Sequence, residues 1–148
     1  KAGMMQLYSL VLSVSGFYKI FVHDLDEALT AFQKSAEMAV QNGLQYEHVW
    51  TMIGRCRIAL SKRQFDLAEE YIRDVLEESQ RLNSTWQKLH ALQLCSQLHH
   101  ATQRPTLQKN RDMFETLMEE LETHTQSDPL RKDFLNAKRL WEEGHHYP

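Results

Sequence analysis

Eight histidines and two cysteines are the residues of this 148-residue chain best suited to chemistry. His99-His100 and His145-His146 stand side by side. On a helix, adjacent side chains diverge by about 100°, so neither pair closes easily on one metal ion. No His-x3-His pair, which would set two imidazoles one turn apart, occurs. His90 and Cys95 share a segment, but five residues of helix turn them about 140° apart, too far for an imidazole to activate the thiol. Five scattered glycines supply no phosphate-cradling loop. The expectation is a chain without catalytic residues, metal or cofactor. Among the charged residues, Arg55, Arg57, Lys62 and Arg63 form a run that no acid interrupts, whereas Glu77, Glu78, Glu119, Glu120 and Glu122 fall near expected helix ends and suit solvated faces. Six methionines, Met4, Met5, Met38, Met52, Met113 and Met118, fit irregular core gaps, with an adaptable binding surface as the alternative use.

The elements that must position these residues are helices. Leu25, Ala28, Leu29, Phe32, Ala36, Ala39 and Val40 follow the three-and-four spacing of one helical face. Asp24 with Glu27 reads as a capping box opening this helix, and Asn42-Gly43 as its stop. With the apolar run before it, the first helix pair covers about residues 3–42. Val49, Trp50, Ile53, Ile58 and Leu60, then Phe65, Ala68, Tyr71, Ile72, Val75 and Leu76, mark a second pair over 45–82. Ser84 with Gln87 reads as another capping box. It opens a third pair over 84–125, with Pro105 in the first turn of its second helix. Ser127-Asp128-Pro129 begins a final helix over 129–144, and 145–148 are a tail. The expectation is an all-α array of about seven helices in one domain.

Composition agrees. With 42% hydrophobic and 25% charged residues against 5 Gly and 3 Pro, neither a turn-rich β-sandwich nor a disordered segment fits. A formal charge of −3 lacks the basic footprint of a nucleic-acid binder. Two cysteines without paired spacing point to a reducing compartment, cytoplasmic with the nucleus as alternative. Met4 to Val22 resembles a signal peptide or membrane span, but Gln6, Ser9, Ser13, Ser15 and Lys19 interrupt it, and a helix buried on two sides explains it better. No membrane is expected.

The packing residues repeat. Ala28-x3-Phe32 recurs forty residues later as Ala68-x3-Ile72, each after an aspartate-bearing entry. Trp50-x2-Ile53-Gly54 and Trp86-x2-Leu89, with Gly16 twelve residues before Ala28, resemble the Trp-x2-Leu-Gly opening and small-residue spacing of the tetratricopeptide repeat. The departures are Arg57 at the motif's Tyr, no closing Pro, Arg111-Asp112 near the expected alanine, and a period near 40 against 34. The resemblance covers three and a half degenerate repeats.

It implies an antiparallel helix-pair solenoid that binds a protein or peptide segment in a concave groove lined by the first helix of each pair. Carried over by position, that groove is Ser13, Phe17, His48, Thr51, Arg55, Ile58, Gln87, Ala91 and Leu94. The pattern of Lys, Asn and Arg with which the family clamps carboxylates does not occur at these places. The alternative is a regulatory or spacer part of a larger protein that forms a homo-dimer or packs on neighbouring repeats through the apolar first helix.

Overall fold

The computed structural model describes residues 2–103 together with Asp112, Met113, Thr116, Leu117 and Glu119. Those residues are all-helical, with no strand among them. Five helices follow one another: α1 (Ala2–Phe21), α2 (Leu25–Gln41), α3 (Gln45–Ser61), α4 (Phe65–Arg81) and α5 (Thr85–Thr102). The rest of the expected third pair, apart from the five isolated positions, and the expected helix over 129–144 with its tail lie outside the described residues.

The helices are stopped by a common device. His23, Gly43, Arg63, Asn83 and Gln103 all take left-handed φ values between 51° and 66°, at intervals of twenty residues. At the first four, this residue's amide donates to the carbonyl three back, as from Gly43 to Val40 (3.3 Å) and Arg63 to Leu60 (3.0 Å). The next amide donates to the carbonyl five back, as from Leu44 to Ala39 and Gln64 to Ala59 (both 2.8 Å). These are the paired bonds of a Schellman ending, which satisfy carbonyls that the helix leaves orphaned. Gly43 takes the conformation without strain; His23 and Arg63 carry a Cβ there at a cost of about 1–2 kcal/mol each. The residue after each turn, Asp24, Leu44, Gln64 or Ser84, is already the N-cap of the next helix.

Neither capping box forms whole. Asp24 Oδ1 accepts from the Glu27 amide (3.3 Å), but Glu27 turns to Lys19 Nζ (2.5 Å) and the Asp24 amide donates to the Lys19 carbonyl. Ser84 makes no side-chain cap bond, and Gln87 leaves its own helix end to donate from Nε2 to the Tyr46 carbonyl of α3 (2.7 Å).

Pairing across helices sets their directions. Ser13 meets Ser35 while Gly16 meets Phe32, so α1 and α2 are antiparallel. Phe32 meets Gly54 while Asp26 meets Lys62, so α2 and α3 are antiparallel too. The odd helices run parallel, since Gln6 bonds Glu47, the Arg57 guanidinium lies over the Phe17 ring, Gln87 bonds Tyr46 and His90 meets Trp50, each pair forty or forty-one residues apart. Helix α3 packs on α1, α2, α4 and α5, whereas α2 and α4 do not approach each other. The odd helices thus form one closely packed layer and the even helices flank it. No described helix is long and apolar enough to cross a membrane.

Two glycines admit the largest core side chain. A Cβ on Gly16 would lie 2.7 Å from the Phe32 ring, and one on Gly54 closer still, so the fully buried ring sits where α1, α2 and α3 converge. Forty residues on, the counterparts of Phe32, Gly16 and Gly54 are Ile72, Cys56 and Leu94, which share one core cluster. The central side chain shrinks as its neighbours grow. A second exchange runs beside it: the buried hydroxyls of Ser9 and Ser13 each bond that of Ser35 (both 3.0 Å), and the three counterparts are the core residues Val49, Ile53 and Val75. The same spacing places Trp50 opposite His90, and Tyr46 opposite Trp86. Gly54 therefore corresponds to Val14 rather than to Gly16, two residues away from the register that the Trp-x2-Leu-Gly resemblance implies.

Gly54→Ala is expected to lower unfolding stability by about 1–3 kcal/mol through overpacking. In the Gly54→Ala/Phe32→Leu double variant, denaturant titration should find a loss smaller than the sum of the two single losses by about 1 kcal/mol. Strict additivity would show that the ring is not the obstacle.

Candidate functional site

The forty-residue offset lays the exposed side of the odd-helix layer out as three rows. Gln6, Tyr46 and Trp86 occupy equivalent positions near the helix starts, Leu10, Trp50 and His90 one turn on, and Phe17, Arg57 and Gln97 about two turns beyond. Each of these side chains is exposed or half-buried. The rings adjoin across the layer: Trp50 stands edge-on to Phe17 (6.3 Å), Tyr46 (6.5 Å) and His90 (5.1 Å). The Arg57 guanidinium lies 5.8 Å over the Phe17 ring, a cation–π placement that leaves its donors unspent. Trp86 is 63% exposed, which is unusual for so large an apolar side chain.

Two polar atoms in this surface lack partners. Arg57 Nε and His90 Nδ1 are buried and bond to nothing among the described residues. Arg57 also makes no ion pair there, and burial pulls its guanidinium below the ordinary arginine range. His90 is pulled down to about 4, first by burial and then by the Arg57 charge, so its imidazole is neutral near pH 7. The site combines one lasting positive charge, a neutral imidazole and apolar rings. Such a surface suits recognition of an anionic group on an otherwise apolar ligand.

The residues carried over from the family register are placed differently. Ser13, Thr51, Ile58, Gln87, Ala91 and Leu94 are buried. Ser13 bonds Ser35 of α2 and Gln87 ties α5 to α3, while Thr51 bonds the His48 carbonyl of its own helix, so these side chains offer no surface. Phe17 does belong to the aromatic rows. Arg55 faces the other way, with its guanidinium over the Tyr71 ring of α4 at 5.1 Å. His48 goes with it: burial lowers its pKa, opposed by the Glu78 charge and aided by that of Arg55. Two residues of helix rotate a side chain by about 200°, which separates Arg55 from Arg57. Trp50, Arg57, His90, Tyr46 and Trp86 were reachable from the sequence only by applying a strict forty-residue offset to the whole odd helix.

The cysteines are structural. Both are free and buried, and burial pushes Cys56 up to about 12, where no thiolate forms near neutrality. Among the described residues no three His, Cys, Asp or Glu side chains group as metal ligands. Comparison of the chain with protein-family models, with curated proteins and with solved structures finds no match.

The depressed His90 pKa gives stability a pH dependence. The unfolded chain takes up a proton near 6.5, while the folded chain resists it down to about 4. Stability is therefore full above pH 6.5 and declines as pH falls toward 4, by at most about 3 kcal/mol from this group. Chemical unfolding at pH 7 and 4.5 should show the decline, and His90→Gln should remove most of it, leaving a smaller slope of the same sign from His48. An unchanged slope in His90→Gln would place the titration elsewhere.

Proposed function

We propose that this chain is a non-catalytic protein-binding module of the tetratricopeptide kind, a helix-pair solenoid whose odd-helix layer takes a segment of another protein. The observation that carries this reading is the surface of adjoining rings across α1, α3 and α5, formed by Phe17, Tyr46, Trp50 and His90 with Trp86 beside them and Arg57 as its positive charge. Stacked helix pairs in which one layer packs more closely than the other curve toward the closer layer, and contact between odd helices but not between α2 and α4 supports taking the odd layer as the concave one. Tyrosine, tryptophan and arginine are enriched among the few residues that supply most binding energy in protein interfaces. Two further helices would extend the array to three and a half pairs. Two buried free thiols fit a reducing compartment, which we take to be the cytoplasm.

Affinity capture with mass spectrometry tests this reading. Tyr46→Ala/Trp86→Ala should reduce recovery of the specific partner by about tenfold or more. Glu70→Ala/Glu77→Ala on the exposed side of α4 should leave it unchanged. Equal recovery by both variants, with intact folds, removes the odd layer from the binding surface.

A second reading has its own observation. Leu7, Val11, Val14 and Tyr18 of α1 are 61%, 54%, 59% and 61% exposed. Their counterparts in α3 (Glu47, Thr51, Gly54, Ile58) and in α5 (Gln87, Ala91, Leu94, Leu98) are all buried, with Gly54 against Phe32 of the preceding pair. Helix α1 therefore shows uncovered the face through which α3 and α5 receive a helix pair. In this reading the module packs on a neighbouring repeat or on a second copy. Light scattering should find a dimer or larger species, and Val14→Glu/Tyr18→Glu should return it to monomer. A wild-type monomer at high concentration would rule out pairing through this face.

A further inference from the structure

Arg57 is a charge without a counterpart. Its Nε is buried without a partner, its guanidinium stands over Phe17, and no ion pair reaches it among the described residues. Glu47, the only carboxylate on its own helix, bonds Gln6 (2.6 Å) and lies ten residues earlier, about 15 Å along the axis. A half-buried guanidinium whose Nε is left without a partner costs free energy that a matching anion returns, and its planar fork favours a carboxylate with two oxygens over a point acceptor. Phe17 and Trp50 wall the position with apolar rings, and His90 Nδ1 offers a second polar atom without a partner. The surface continues past Arg57 on both sides, to Gln97 across the layer and to Trp50 and Tyr46 along α3, so a segment lying on it passes through rather than ending there.

We propose that Arg57, with His90 beside it, receives the carboxylate of an aspartate or glutamate within the partner segment, flanked by apolar residues that pack on Phe17 and Trp50. This rests on the reading of the odd layer as the binding face. It adds the chemistry of the anchor, which commits the partner to an acidic residue in an apolar setting rather than to a basic segment.

Four capped peptides serve as probes: acetyl-Leu-Glu-Leu-amide, the same with Gln or with Lys in the middle, and acetyl-Leu-Gln-Leu with a free terminal carboxylate. Heteronuclear NMR follows the Trp50 and Trp86 indoles and the His90 ring during titration. The glutamate peptide should shift Trp50 and His90 saturably, at least tenfold more tightly than the Gln or terminal-carboxylate peptides, with Lys weakest. In Arg57→Gln the glutamate preference should vanish while Trp86 still responds. Arg57→Lys, which keeps the charge, should retain part of it and guards against a fold defect in the first variant. Equal binding of the glutamate and Gln peptides at Trp50 would overturn the carboxylate assignment and leave the binding face standing. Shifts confined to α2 and α4 would overturn both.

Discussion

The arrangement of the first three helices depends on the room made for one ring. Phe32 leaves α2 at the point where α1 and α3 both approach it, and both present glycine there. A side chain on either would meet ring carbons closer than van der Waals contact allows, so the three axes can come together only with Gly16 and Gly54 in place. Because α3 is held by Phe32 from below and packs on α4 and α5 above, its seating is transmitted to the second pair. There Ile72 takes the place of Phe32, and larger residues fill what the glycines left open. Two different solutions of the same volume problem keep the helix spacing compatible along the array.

The even spacing of the turns makes those solutions line up. Every described helix ends on a left-handed residue twenty positions after the last, although only one of these is glycine. The backbone bonds of the Schellman ending outweigh the Cβ penalty at His23 and Arg63, since unpaired carbonyls at a packed helix end cost more. A fixed twenty-residue step brings parallel odd helices into contact at an offset of forty, and that offset stacks Phe17, Trp50 and His90 into adjoining rows. The alignment of these rings is thus a consequence of how the helices stop.

Electrostatics follow from the same placement. Arg55 and Arg57 are two residues apart, yet one lies over an α4 tyrosine and the other over an α1 phenylalanine. The second is left among rings on the odd-helix face with a neutral histidine beside it. Burial lowers the His90 pKa, and Arg57 Nε is buried there without a partner among the described residues.

Much of the fold was legible in the residues. Periodicity from Leu25 to Ala39 and from Phe65 to Leu76 marked the buried faces of α2 and α4, whereas Val40, read with the first, is exposed. Asp24 caps α2 as its side chain implies, and Asn42-Gly43 ends it. The forty-residue recurrence of Ala28-x3-Phe32 as Ala68-x3-Ile72 marks equivalent buried positions, because small and large residues must alternate wherever helices meet closely. The site was much less legible. Helix α3 is covered on nearly every side, so its sequence carries little one-sided pattern, and a two-residue shift in register moves a side chain from the surface into the core. That shift placed Thr51, Ile58 and Leu94 in an expected groove where the structure has them buried. Gln87 read as a cap from its neighbours, yet it spans two helices, and no local pattern records a bond between residues forty-one positions apart. Local bonding and periodicity, which act within one or two turns, determined the helices and their ends; which face of α3 meets which neighbour was decided only when Phe32 met its two glycines, because that contact joins three segments distant in the chain.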